Sequence, residues 1–163
     1  MTEIIQFARD TALSFWPTPP EVADDLVIPA LCPGYGFGEA CGDVPQVRIL
    51  EPSAGEGHLA RVARRHLPCA HITAVEPDPT RAATLRALPN VVDEGVESYL
   101  PARLRALPEV VDEVVESTLE DYLASVGVSA LLGDWQPFDL VFMNPPFTLP
   151  GRPEVWAEHV LAV

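Results

Sequence analysis

Asn144-Pro145-Pro146-Phe147 closes the apolar run FDLVFM. Proline has no N–H to donate, so a sheet ladder cannot continue past Met143. The four residues suit an amine. The side-chain oxygen of Asn144 and the backbone carbonyl of Pro145 are acceptors for its two N–H protons. The prolines fix φ and offer no competing donor, so the carbonyl is presented rigidly. An exocyclic amine is a poor nucleophile because its lone pair is delocalised into its ring, and accepting both protons counters that. Phe147 adds a ring face for stacking. A plain proline turn after a buried strand would look the same in isolation.

A second constellation lies upstream. EPSAGEG sets Gly55 and Gly57 after an apolar strand and at the start of a helix. Glycine lets the backbone turn sharply and lets a ligand approach it, and a helix start adds exposed N–H groups. The third glycine position of a dinucleotide turn is Ala60 here, which the looser form of that motif allows. Glu76 closes the next strand about 20 residues on, where an acid accepts from ribose hydroxyls at the edge of a doubly wound sheet.

These groups need elements to hold them. Residues 1–14 read as a short amphipathic helix. Thr18-Pro19-Pro20-Glu21 is a helix start, with a capping hydroxyl, prolines in the first turn and an acid near the positive end. Residues 32–46 hold four glycines and two prolines and read as a loop. Val47–Leu50 is a strand, and the helix over Gly57–Leu67 carries Leu59, Val62, Ala63 and Leu67 on one face. HITAVEPDPTRAATLRAL repeats strand then helix, and FDLVFM is a third strong strand. Alternation of this kind makes an α/β domain with a mostly parallel sheet covered on both faces.

The stretch between is a tandem duplication over residues 85–119. LRALPNVVDEGVESYL at 85–100 matches LRALPEVVDEVVESTL at 104–119 in 13 of 16 positions. Two copies do not build a solenoid. One copy should supply a sheet strand, and the second is favoured because it leads directly into TLEDYL. The other would be an inserted surface strand or helix-loop.

With 163 residues and 48% hydrophobic composition, the chain fits one globular domain. Charge or proline interrupts every apolar run before it reaches a membrane span, and MTEIIQFARD has no basic leader region, so a cytoplasmic protein is expected. Cys32, Cys41 and Cys69 form no paired motif and read as free thiols. The net charge is −14 and all ten basic residues are arginines. Such a surface repels phosphate backbones and counts against a chain that grips DNA unaided. Arg61, Arg64 and Arg65 read as a solvated helix face. His58 reads as a solvated or packing residue, and Trp16, Trp135 and Trp156 as packing, with Trp16 inside a block of interest.

In order along the chain, FWPTPPEVADDLV, ILEPSAGEG, VEPDP, LEDYL and NPPF resemble the class I S-adenosylmethionine-dependent methyltransferases. They are closest to the branch that modifies N6 of adenine in DNA. The blocks span residues 15–147. The resemblance implies a three-layer Rossmann-like fold of about seven strands, incomplete here on its C-terminal side, with the later strands and the basic target-recognition region missing. A partner chain or dimer would then complete the sheet. It further implies that Thr18 and Pro19 meet the methionine end of S-adenosyl-L-methionine, and that Glu51, Ser53, Gly55 and Gly57 shape the pocket around its amino-acid portion. Glu76 would hold the ribose, Asp121 would accept from the cofactor's adenine amine and Tyr122 would pack on that ring. Asn144, Pro145, Pro146 and Phe147 would meet a flipped adenine of DNA, as in a restriction-modification or phage system, with no metal required. An RNA-base or protein-glutamine amine is the nearest alternative. A non-catalytic cofactor-binding or assembly subunit is the alternative outside enzymes, and a hydride-transfer dinucleotide enzyme leaves NPPF unexplained.

Overall fold

The computed structural model describes residues 18–19, 22–23, 47–67, 70–89, 110–133, 136–146, 149, 151–152 and 154–162. The expected helix over 1–14, the loop over 32–46, all three cysteines, Trp16, Trp135, Phe147 and most of the first repeat lie outside them, as does the Trp156 side chain. The described elements run β1 (Arg48–Glu51), α1 (His58–His66), β2 (His71–Val75), α2 (Pro79–Arg86), β3 (Glu113–Val115), α3 (Leu119–Leu132), β4 (Leu140–Val141) and α4 (Val155–Ala162).

The four strands form one sheet in the order β3-β2-β1-β4, and every pairing is parallel. Ile49 lies opposite Ile72 on one side and Leu140 on the other. Ile49, Leu50, Ile72, Ala74 and Val75 are all buried, as strands covered on both faces require. The expected α/β class and parallel sheet are therefore present. No described helix is long and apolar enough to cross a membrane.

Each βα step has a local cause. Gly57 stands at the N-cap of α1 with φ of 77°. A Cβ there would meet Leu88 Cδ1 at 2.6 Å and Leu85 Cδ2 at 2.8 Å, so both conformation and packing demand glycine. Leu59, Ala60, Val62 and Ala63 bury the face of α1 that the apolar spacing predicts. Asp78 caps α2 by accepting from the Arg81 N–H at 2.9 Å, with Pro79 in the first turn. Thr118 caps α3, which ends at Gly133 with φ of 78°. The Ala23 N–H donates to the Pro19 carbonyl at 2.9 Å, a helical bond in the block read as a helix start.

Three features depart from or refine the sequence reading. The second repeat does supply β3, as expected. The strand read over 138–143 is laddered only at Leu140–Val141, at the sheet edge, although Asp139 and Phe142 donate to the Arg48 and Leu50 carbonyls on either side. Arg64 is not part of a solvated face. It is 3% exposed and its Nε, Nη1 and Nη2 donate to Val110 O (3.0 Å), Ala70 O (2.7 Å) and Asp112 Oδ2 (2.5 Å). Asp112 Oδ2 also accepts from the Ile72 N–H at 2.7 Å. A buried guanidinium is tolerated because its donors are met, and here they tie α1 to the segments leading into β2 and β3. Arg61 and Arg65 are exposed, as read.

Candidate functional site

In an open parallel sheet, ligands bind beyond the carboxyl ends of the strands, where successive connections leave in opposite directions. Here β1 has β2 on one side and β4 on the other, so the crevice opens between the turns that follow β1 and β4. A cavity occupies that place. Among the described residues its floor is Glu51, Pro52, Ser53 and Ala54 after β1. Glu76, Pro77 and Arg81 follow from β2, and Thr118, Leu119 and Glu120 from the start of α3. Asn144, Pro145 and Pro146 close the side after β4, joined by Thr18, and Leu149, Arg152 and His159 form the outer wall.

Glu51 ends β1 and is 2% exposed, and its Oε2 has no hydrogen-bond partner among the described residues. Burial pushes its carboxyl up to about 8, a backbone bond from Ala60 opposes this, and nearby Glu76 adds to it. At neutral pH it is mostly a protonated acid at the bottom of a cavity. A cationic group placed beside it would bring back the carboxylate.

Glu76 is 4% exposed and heavily engaged. Its Oε2 accepts the Gly55 N–H at 2.8 Å, and its Oε1 accepts the Asp78 N–H at 2.9 Å and Arg81 Nε at 3.2 Å. The acid thus clamps the glycine turn to the end of β2. A carboxylate has about four lone-pair sites and these donors take three, so about one on Oε2 is left for a hydroxyl, and a second hydroxyl has to share or replace a donor.

Asn144 is half-buried. Its Nδ2 donates to Thr18 Oγ1 at 3.1 Å, a contact across 126 residues of chain. With the amide nitrogen turned to Thr18, the acceptor Oδ1 lies in the same plane and points away from Thr18. Thr18 is itself buried at 7% exposure.

Nearer the mouth, Arg152 Nη1 donates to Glu120 Oε1 at 2.7 Å, and its Nη2 pairs with Glu158. His159 Nε2 lies 3.4 Å from the same Glu120 oxygen, while His159 Nδ1 is buried with no partner among the described residues. Burial pushes the Glu120 carboxyl up, but its helix-start N–H, Arg152 and His159 outweigh this and hold it below the ordinary value.

Of the residues expected from the sequence, Thr18, Glu51, Ser53, Glu76, Asn144, Pro145 and Pro146 meet at this one cavity. Gly55 and Gly57 form the turn behind its wall, and Pro19 contributes its carbonyl to the helix start. Asp121 is exposed and makes a reciprocal cap with Thr118: its N–H donates to Thr118 Oγ1 at 3.2 Å and its Oδ2 accepts from that hydroxyl at 3.0 Å. Tyr122 is half-buried, its hydroxyl pushed up by burial and then by Glu113, against Arg48. Neither lines the cavity, whereas Thr118, Leu119 and Glu120 just before them do. The sequence reading passed over His58, Arg81, Glu120, Arg152 and His159. Only His58 carried a signal, its place directly after the glycine turn. No protein-family model, curated protein or solved structure matches the chain.

Proposed function

We propose that this chain is an S-adenosylmethionine-dependent N-methyltransferase whose substrate is an exocyclic amine, N6 of adenine in DNA. What carries the reading is one cavity at the crossover point of the sheet that joins two buried acids, Glu51 and Glu76, to the Asn144-Pro145-Pro146 acceptors. The residues fit the cofactor by charge. A buried carboxyl with a raised pKa and no partner among the described residues suits the cationic amino-acid end, and an acid closing β2 suits a ribose. When bound, the cofactor supplies an electrophilic methyl on a sulfonium, so the chain needs only to bind, orient and accept hydrogen bonds.

Those tasks divide among its residues. Glu51 ionises against a cation. Glu76 holds hydroxyls while keeping the glycine turn closed. Thr118, Leu119 and Glu120 wall the far end, where Asp121 and Tyr122 stand one step back. Thr18 fixes the Asn144 amide so that Oδ1, with the Pro145 carbonyl, accepts the two amine protons. Phe147, outside the described residues, offers the stacking ring. An RNA base or a glutamine side chain would use the same acceptors, so substrate class needs a direct comparison.

The test is calorimetric titration with S-adenosylmethionine of the wild-type chain, Glu76→Ala and Glu76→Gln, with circular dichroism as a fold control. Saturable binding lost in folded Glu76→Ala is expected. Methyl transfer is then assayed on adenine-containing DNA, adenine-free DNA, RNA and a glutamine peptide, and only the first should be modified. Absence of binding by the folded wild-type chain overturns the reading.

A further inference from the structure

The donors that reach Glu76 among the described residues are unevenly shared between its two oxygens. Oε1 accepts from both the Asp78 N–H and Arg81 Nε, so its lone pairs are filled. Oε2 accepts only from the Gly55 N–H, which leaves about one acceptor site there. A ribose offers two neighbouring hydroxyls. Both can donate to Glu76 as full hydrogen bonds only if one of the present donors leaves.

Two of these donors are fixed by the backbone. The Gly55 N–H sits in a turn where the Ala54 N–H donates to the Val75 carbonyl at 3.0 Å and the Gly57 N–H to the Ala54 carbonyl at 2.8 Å. The Asp78 N–H belongs to the N-cap residue of α2. Arg81 Nε is the side-chain donor, and its bond is the longest of the three at 3.2 Å. It is still hard to displace. The Arg81 backbone is pinned, since its N–H donates to Asp78 Oδ1 at 2.9 Å. The pair is also nearly buried, with the Arg81 side chain 13% exposed and that of Glu76 5%. A hydroxyl carries no charge, so displacing Arg81 would part an ion pair in a low-dielectric place to gain a bond with one charged partner.

We propose that Glu76 takes a single ribose hydroxyl of its ligand, and that Arg81 is the residue that sets this limit. The inference rests on the proposed cofactor role of the cavity, which Arg81 lines together with Glu76 and Pro77. Arg81 acts on specificity through Glu76. By filling Oε1 it leaves a nucleoside one point of attachment to the acid in place of two. The site therefore reads one hydroxyl and is indifferent to the other, so a ribose and one of its two deoxy forms are nearly equivalent to it. Without Arg81, Oε1 regains an acceptor site and the intact diol becomes the preferred ligand.

The experiment is calorimetric titration of the wild-type chain, Arg81→Met and Arg81→Gln, with circular dichroism as a fold control. The probes are S-adenosylhomocysteine and its 2′-deoxy, 3′-deoxy and 2′,3′-dideoxy forms. In the wild type, loss of one hydroxyl should weaken binding about tenfold, and loss of the other by less than about twofold. The dideoxy form should then bind about as well as the weaker of the two deoxy forms. In the Arg81 variants the indifferent hydroxyl should also come to matter by about tenfold. An Arg81 that only supports the fold would shift all four affinities together, and unchanged ratios in a folded variant overturn the assignment. Equal effects of the two single losses in the wild type overturn it as well, and that comparison decides alone if neither variant folds. A wild-type chain that binds none of the four removes the proposed function and this inference together, whereas binding in which both hydroxyls weigh alike removes this inference only.

Discussion

The two ends of the parallel sheet treat buried polar groups in opposite ways. At the amino end of β2 and β3, Arg64 is 3% exposed, and its Nε, Nη1 and Nη2 all donate to carbonyls or to Asp112. At the carboxyl ends, Glu51 and His159 are as deeply placed, yet among the described residues Glu51 Oε2 and His159 Nδ1 have no partner. A satisfied polar cluster holds elements together. An unsatisfied one spends stability to keep acceptors and donors ready for something else. Arg48 Nε is the exception at the amino side, but its guanidinium lies 5.3 Å over the Phe138 ring, a weak acceptor face.

The sharpest way to break this contrast is Arg64→Met. Loss of the guanidinium strands Asp112 and two carbonyls, so about 3–5 kcal/mol of stability should disappear in denaturant titrations. A neutral result would mean the amino end is no tighter than the other. At the opposite end, Asn144→Ala should lower methyl transfer by about 10²–10³, as for loss of one preorganised hydrogen-bonding group. Its stability and cofactor affinity should hardly move, and a parallel loss of binding would make Asn144 a scaffold residue. Gly57→Ala sits between the two regions. With φ of 77° and Leu88 Cδ1 at 2.6 Å from the added carbon, it should cost about 1–3 kcal/mol, read from the thermal midpoint.

A pH series sharpens the comparison further. Glu51 is raised to about 8 in the fold from an ordinary 4.5. The folded chain therefore holds a proton that the unfolded chain releases between these values. Stability is full below pH 4.5 and falls as pH rises toward 8, by on the order of 1 kcal/mol per pH unit, then levels off. Glu51→Gln should flatten that slope in urea titrations at several pH values while leaving the Arg64 cluster unchanged. A slope that survives the substitution would assign it to another group.

What the sequence made legible was local. The helix read over Gly57–Leu67 appears as His58–His66 between those two residues as caps, because turn, periodicity and cap all lie within one window. Two of the three partners named for Arg64 lie 46 and 48 residues further on, so a charged residue on an amphipathic helix gave no sign that it was buried. Asp121 and Glu120 illustrate a finer limit. Which of two neighbouring acids faces the cavity depends on where Thr118 starts α3, a rotation of about 100° per residue that composition does not reveal. The outer wall of Glu120, Arg152 and His159 follows no motif, since α3 and α4 meet there only through the fold.

The hydrogen bond from Asn144 to Thr18 also says something about time. The βα units form from neighbouring residues, whereas this contact closes a 126-residue loop. Such closures come late in folding and open early, because their entropy cost is met only after the sheet exists. The amide orientation should thus be the last part of the site to form and the first to fray. In mild denaturant, activity should fade while the parallel sheet and its buried arginine are still intact.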